Sequence, residues 1–145
     1  MNKITFTISY VESVIVTRIV TLMYISGPQF QHVKKSLSSN EQNILCSFDD
    51  RMRSYKGETQ KKYPELFDTK PYYQDEAWNM PVLIEATSIE LGLTIRAFEE
   101  TIQESKSDNF YDLEIIVGYP IDDIRRCLEL LQSIICEISN DCHKK

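Results

Sequence analysis

Glycine and histidine are scarce in this sequence, with four glycines and two histidines among 145 residues. Phosphate-binding loops need closely spaced glycines to bring backbone N–H groups to the ligand, and the sequence contains neither a P-loop nor a GxGxxG motif. The sequence also lacks HExxH, the motif of a zinc-protease helix, and GxSxG, the motif of a nucleophile elbow. The sequence therefore predicts a protein that is not an enzyme and that uses no cofactor.

The cysteines form no CxxC pair and no spacing typical of a zinc site. Three of the four lie within or just after an apolar periodic segment, where a free cysteine usually behaves as a small buried hydrophobe. We therefore expect no metal site and a reducing, cytoplasmic compartment. The four are Cys46, Cys127, Cys136 and Cys142.

No long uninterrupted hydrophobic run is present. The most apolar stretch, residues 4–25, is broken by Glu12 and Arg18. A membrane-spanning helix needs about 20 mainly apolar residues, and a signal peptide needs a continuous apolar region before a small-residue cleavage site. The sequence predicts neither, and we expect no membrane partner.

Positive charge is in the minority, since 16 Lys and Arg stand against 22 Asp and Glu, for a net charge of −6. Nucleic-acid binding requires clustered Lys and Arg to neutralise phosphates, so we expect no nucleic-acid partner. The imbalance is sharpest in residues 99–123, which hold many acidic side chains and a single basic one, Lys106. Such a field attracts a basic partner; the alternative is a solvated face that keeps the protein in solution. The acidic residues are Glu99, Glu100, Glu104, Asp108, Asp112, Glu114, Asp122 and Asp123.

The positions of glycine and proline predict helices. Gly27, Gly57 and Gly118 each follow an apolar periodic segment, and a proline comes shortly after two of them. Helices commonly end on a left-handed glycine, with a proline just beyond. We predict a mainly α, single-domain bundle of about five helices over residues 1–145, with one long irregular connection at residues 57–80.

Apolar spacing places three of these helices. One begins near Ser39, whose spacing to Gln42 fits a capping box. The segment from Pro81 to Glu104 is apolar around most of its circumference, which predicts the central helix. Within it, Glu90 is the best acid/base candidate because burial would raise its pKa, although a glutamate there more often pairs with an arginine. The last helix is predicted from heptad spacing of Ile121, Ile124, Leu128, Leu131, Ile135 and Ile138.

Two segments fit either helix or strand. Residues 4–22 place apolar side chains on one helical face, but the stretch ITFTISY also alternates as a strand does. Residues 110–117 are equally ambiguous. The alternative fold class is therefore α+β, with a small sheet from residues 3–25 and 110–117.

The irregular connection holds the main candidate binding residues, in the stretch KPYYQDEAWNMP. Tyr and Trp dominate binding hot spots because they bury a large area at low entropic cost, and adjacent acidic groups suit a basic partner. The competing interpretation is that the rings of this region fix the connection onto the core. The candidates are Tyr72, Tyr73, Asp75, Glu76 and Trp78.

The Tyr72–Tyr73 pair beside Asp75 and Glu76 resembles, in chemistry and not in family, the surface that small acidic helical immunity proteins present to nuclease colicins. The resemblance implies a basic protein partner, most concretely a nuclease-type toxin that this chain would neutralise. In this hypothesis further acidic side chains complement the Lys and Arg of the toxin. They are Glu100, Glu104, Asp108 and Asp112.

Two other functions are consistent with the sequence. A helical small-molecule or lipid-binding protein, possibly an enzyme, would hold its ligand in a pocket beside the central helix, with Glu90 as the polar group. A homodimeric scaffold would pair through the last helix. A cavity that reaches Glu90 would favour the first, and a concentration-dependent mass would favour the second.

Overall fold

Two short strands and a set of helices build the chain, and each strand leads directly into a helix. The structure is a computed structural model and describes residues 3–22, 37–69, 72–106 and 113–138. The predicted mainly helical fold class is confirmed, together with a small sheet. In chain order the elements are β1 (Lys3–Ser9), α1 (Tyr10–Thr21), α2 (Ser39–Lys62), α3 (Pro64–Phe67), a 3-10 helix (Asp75–Asn79), β2 (Pro81–Thr87), α4 (Ser88–Glu104), α5 (Leu113–Val117) and α6 (Ile121–Ile138).

The two strands form an antiparallel ribbon that pairs all seven residues of each strand. In β1 the alternation of the sequence turns Ile4, Phe6 and Ile8 toward the core, and Ile8 is fully buried. Of the two conformations left open for residues 4–22, the strand is therefore correct for the first part and the helix for the rest. Alternation with a period of two, and not the helical stripe, decides the conformation before α1.

The second strand lies where the central helix was expected to begin. Val82, Ile84 and Ala86 are buried and alternate with exposed positions, one of which is Leu83, 63% exposed. The predicted start of the central helix at Pro81 is wrong. The strand alternation is hard to recognise in the sequence because Leu83, an apolar residue, occupies an exposed position. Of the two conformations left open for residues 110–117, the helix is found: residues 113–117 form α5, and 110–112 lie outside the described residues.

Three helices begin with the same capping arrangement. In each, a Ser or Thr hydroxyl accepts the backbone N–H three residues later, and the glutamate at that position accepts the N–H of the cap. Loss of such a cap typically costs about 1 kcal/mol. The box predicted at Ser39 with Gln42 lies one residue earlier. The three pairs are Ser9 with Glu12, Ser38 with Glu41, and Thr87 with Glu90.

α2 is longer than predicted because Gly57 does not end it. A side chain at Gly57 would meet no atom within 4 Å, and the helix continues to Lys62. Pro64 then stops it, since the residue before a proline avoids the helical conformation. The irregular connection predicted at residues 57–80 is therefore shorter, and it contains α3 and the 3-10 helix.

Gly118 ends a helix as predicted. Its φ of 86° is the left-handed conformation that glycine adopts without strain. A Cβ there would lie 2.8 Å from Nη1 of Arg18, which donates a hydrogen bond to the carbonyl of Val117 at 2.7 Å. The positive φ is therefore the main reason that the turn requires glycine, since the end of the Arg18 side chain could shift away from a Cβ. The helix end predicted at Gly27 lies outside the described residues.

α4 is the central helix, as predicted for its residues after Thr87. It packs against α1, α2, α6 and β2, and Leu91 and Phe98 are completely buried. α6 is also confirmed and packs mainly on α4, where Ile124 and Leu131 are buried. Within the described ranges, no helix has both the length and the apolarity needed to cross a membrane.

Candidate functional site

Four aromatic rings fix the segment after α3 to the core. The ring centroids of Tyr10 and Phe67 are 4.6 Å apart, those of Phe67 and Tyr73 5.0 Å, and those of Tyr73 and Trp78 5.4 Å. These distances and the tilted or edge-on orientations are typical of favourable aromatic pairs. The expectation that rings of this region anchor the connection is therefore confirmed for Tyr73 and Trp78, both half-buried.

Tyr10 stands at the centre of this aromatic cluster because α1 begins directly after β1. The side-chain amide of Gln60 donates to the Tyr10 hydroxyl at 2.6 Å. Burial, together with the nearby Tyr73, raises the pKa of Tyr10 to about 12 despite that hydrogen bond. The phenol is therefore neutral at physiological pH and serves as an uncharged support for the segment.

Tyr72 points away from the cluster and is 81% exposed. Its backbone is held, since the hydroxyl of Thr69 donates to the Tyr72 carbonyl at 2.6 Å. Asp75 and Glu76 are exposed in the first turn of the 3-10 helix, while Ala77 of the same helix is completely buried. We call Tyr72, Asp75 and Glu76 the acidic tyrosine surface: three outward side chains on an anchored backbone.

The remaining predicted acidic residues lie elsewhere or outside the described residues. Glu100 is half-buried on α4, whereas the 3-10 helix packs mainly on α1 and α3, so separate elements carry the two groups. Glu104 is the last residue of α4, and its side chain is not among those described. Asp108 and Asp112 lie outside the described ranges.

Glu90 links α4 to α2 through Arg51. The guanidinium donates from Nη1 to Oε2 at 2.5 Å and from Nη2 to Oε1 at 2.8 Å, and Oε1 also accepts the N–H of Thr87 at 2.9 Å. Burial opposes ionisation, but the Arg51 and Thr87 bonds outweigh it and lower the pKa of Glu90. The expected rise in pKa is therefore wrong, and the expected pairing with an arginine is confirmed.

A groove of about 460 Å³ lies between α1, α2 and the 3-10 helix, and the sequence did not predict it. Three cationic side chains line it, Arg18, Arg53 and Lys56, and no acidic residue lines it in the part of the chain that the structure describes. Tyr73 and Trp78 line the same groove. We call it the cationic groove. The only sequence signal for it is the spacing of Arg53 and Lys56, which places both on one face of α2.

Below the groove lies a carboxylate that is incompletely satisfied. Asp49 is buried and pairs through Oδ2 with Arg53 at 3.1 Å, while its Oδ1 has no hydrogen-bond partner. Burial raises the pKa of Asp49, and Arg53 opposes the rise. Arg53 therefore balances a buried charge in addition to lining the groove.

A second groove, of about 750 Å³, separates the last turns of α2 from the outer face of the sheet. Leu83 supplies its most exposed apolar surface. Its charges are mixed, with Glu58 and Glu85 opposite Lys61 and Lys62. This groove therefore shows no preference for a ligand of either sign.

No group of three His, Cys, Asp or Glu side chains in the described part of the chain is arranged to hold a metal ion. Comparisons with protein-family models, with curated proteins and with solved structures give no significant match. We therefore derive the function from the chain's own residues.

Proposed function

We propose that this protein is an acidic protein-binding module of the cytoplasm that neutralises a basic protein partner. Its most concrete form is an immunity or antitoxin protein that blocks a nuclease-type toxin. The supporting observation is the acidic tyrosine surface, where Tyr72 is 81% exposed and Asp75 and Glu76, three and four residues later in the chain, are exposed as well.

Pre-organisation supports this role for Tyr72. An isolated exposed ring is common on protein surfaces and needs no explanation. Tyr72, however, directly precedes Tyr73, whose ring is packed among Phe67, Tyr10 and Trp78. The backbone that carries Tyr72 is thus already ordered, and binding loses less conformational entropy than binding by a mobile loop.

The carboxylates of Asp75 and Glu76 suit a basic partner. Neither takes part in an ion pair with any other described residue. Exposed charges without a partner retain their full field, which accelerates association with a surface of opposite sign and selects against acidic proteins. In this proposal the Tyr72 ring becomes buried against the partner, and the two carboxylates attract the partner's basic surface.

A nuclease offers a matching surface because it must hold phosphates with Lys and Arg. Carboxylates placed on that surface occupy the positions of substrate phosphates and exclude nucleic acid. In this proposal the acidic residues at the end of α4 and beyond it extend the negative field over the toxin. They are Glu100, Glu104, Asp108 and Asp112.

Affinity capture from an extract of the source cells tests the proposal, with the bound proteins identified by mass spectrometry at low and high salt. We expect a basic partner whose retention falls as salt rises. With the purified partner, Tyr72→Ala should weaken binding about 30-fold, the equivalent of roughly 2 kcal/mol, without a change in thermal stability. Asp75→Asn with Glu76→Gln should slow association mainly at low salt.

The matched control is Glu58→Gln, which removes an exposed carboxylate on α2 that pairs only with Lys61. It should bind like the wild type. Recovery of no basic partner, binding that ignores salt, or an equal loss in Glu58→Gln would each overturn the proposal.

The alternative functions have less support. Both carboxylate oxygens of Glu90 are engaged by Arg51, and Glu90 lines neither groove. The interior void that Leu91 and Thr94 help to line is too small for a water molecule. In α6, Ile124 and Leu131 are already buried within the chain, which leaves less of the heptad stripe for a homodimer. Sedimentation at several concentrations tests that assembly directly.

A further inference from the structure

The cationic groove has the opposite sign to the rest of the protein. The chain carries a net charge of −6, yet Arg18, Arg53 and Lys56 line one groove in which none of the described lining residues is acidic. Like charges repel unless counter-charges or a ligand offset them. The arrangement therefore requires an explanation.

Hydroxyl and carbonyl oxygens, more than carboxylates, hold these cations. Lys56 donates to Thr17 Oγ1 at 3.2 Å, and Arg53 donates to Thr21 Oγ1 at 3.2 Å. Both hydroxyls donate in turn to backbone carbonyls of α1, so their lone pairs are directed at the cations. Such bonds fix the positions of the side chains without supplying a counter-charge.

The nearby counter-charges are too few. Asp49 forms an ion pair with Arg53, and Arg18 bonds to the carbonyl of Val117. No carboxylate among the described residues lies within ion-pairing distance of Lys56 or Arg18. Among the described residues in and below the groove, three cations and one carboxylate leave a local charge near +2, which a dianion would neutralise.

Lys56 shows the effect of this imbalance. Its pKa is lowered, first by burial and then by Arg53 and Arg18, while Asp49 opposes the shift only in part. A half-buried ammonium with two neighbouring guanidinium groups is destabilised in the absence of an anion. A bound anion would reverse the repulsion.

The groove also has an aromatic wall, formed by two rings whose planes are tilted by 45°. Tyr73 and Trp78 line it together, with ring centroids 5.4 Å apart. Its volume of about 460 Å³ lies in the range of small-molecule sites, roughly 300–1,000 Å³. A ligand of this size can place a ring against the aromatic side chains while an anionic group reaches the cations.

We propose that the cationic groove binds a small aromatic phosphate monoester, with its phosphate at Arg53 and Lys56 and its ring against Trp78 and Tyr73. A phosphate dianion matches the local charge, and its oxygens suit both the planar fork of an arginine and the ammonium of a lysine. This site is separate from the acidic tyrosine surface and does not depend on the existence of a protein partner.

Trp78 is the only tryptophan in the chain, so intrinsic fluorescence reports directly on the groove. We would titrate the protein with phenyl phosphate and with AMP, and compare AMP with adenosine and inorganic phosphate; calorimetry would confirm each affinity. At least one of these two monoesters, phenyl phosphate or AMP, should saturate the signal below about 1 mM and bind at least about tenfold more tightly than inorganic phosphate. If AMP binds, its affinity should exceed that of adenosine by the same factor.

Substitutions at Lys56 separate the charge from the fold. Lys56→Met should weaken binding at least about tenfold, while Lys56→Arg, which keeps the charge, should stay within about threefold of wild type. Lys61→Met is the matched control, since Lys61 is an exposed lysine of the same helix outside this groove, and it should bind normally. Circular dichroism would verify that each variant is folded.

Several results would overturn the proposal. They are no binding of either phenyl phosphate or AMP at about 1 mM, inorganic phosphate binding as tightly as these two monoesters, and equal affinity for AMP and adenosine. A folded Lys56→Met that binds normally, or an equal loss in Lys61→Met, would do the same. If Lys56→Met does not fold, Lys56→Gln takes its place with the same expectation.

Discussion

Arg51→Met would measure how much the link between α2 and α4 contributes to folding. In the wild type, Arg51 donates two hydrogen bonds to Glu90, one to the carbonyl of Glu85 at 3.0 Å and one to the hydroxyl of Tyr55 at 3.3 Å. Methionine fills much of the same space with an apolar chain. The substitution therefore removes the charge and the donors while limiting the loss of packing.

The expected magnitude follows from the burial of the two partners. Removing one member of a fully buried pair costs about 3–5 kcal/mol, because the other charge is left without compensation. Here the side chain of Glu90 is 10% exposed, but that of Arg51 is 31% exposed, so water can reach part of the vacated position. The N–H of Thr87 still binds the carboxylate. We therefore expect Arg51→Met to lower the free energy of unfolding by about 2–3 kcal/mol.

Urea denaturation would measure the free energy of unfolding of Arg51→Met, Glu90→Gln and the double variant, with the same dependence on urea concentration fitted to all of them. Glu90→Gln retains an acceptor for Thr87 and should cost about 1–2 kcal/mol. If the two side chains interact as the distances indicate, the double variant should cost less than the sum by about 1 kcal/mol or more.

A coupling below about 0.3 kcal/mol would refute the reasoning, because it would mean that the pair acts as two independent residues. The control is Lys61→Met, which breaks the exposed pair between Lys61 and Glu58. Exposed pairs contribute little, so this variant should remain within about 0.5 kcal/mol of wild type.

Three further predictions concern single positions. Gly118→Ala should lower stability by about 1–3 kcal/mol, since alanine is strained at φ 86° and its Cβ would lie 2.8 Å from Nη1 of Arg18; denaturation with unchanged stability would contradict this. Cys127 should react with a thiol reagent at least about 100-fold more slowly than the exposed Cys46, because burial raises its pKa and blocks access; peptide-resolved labelling with equal rates would contradict this. Because the pKa of Glu90 is lowered in the folded state, its carboxylate contributes stability that is present above the ordinary pKa of 4.5 and is lost as pH falls through the lower folded value. Glu90→Gln should therefore lose less stability than the wild type between about pH 5 and 2. Identical profiles of unfolding free energy against pH for the two proteins would contradict this.

The elements with an unbroken period could be predicted from the sequence, and those with a misleading period could not. α6 follows its heptad spacing from the first residue to the last. β2 was hidden because Leu83, an exposed apolar residue, sits between the buried Val82 and Ile84 and makes the strand resemble a buried helix. Gly57 predicted a helix end where the helix in fact continues. The space around it is open, and glycine within a helix lowers stability by only a small amount.

The candidate sites show a similar division. Residue types identified Tyr72 and Tyr73, but not that the first points to solvent and the second to the core. Adjacent side chains on a non-helical backbone face different ways, and only the fold decides which one is buried. The cationic groove could not be predicted from the sequence, because Arg18 and Lys56 come together only when α1 packs on α2.

The paired strand–helix units have a geometric consequence. β1 with α1 and β2 with α4 follow one plan: a seven-residue strand, a final Ser or Thr that caps the helix, and a glutamate three residues after the cap. Phe6 pairs with Ile84, and each is the middle residue of its strand, so an approximate two-fold axis passes between them. The centre of the fold is thus built like the interface of an isologous dimer whose two halves are joined in one chain.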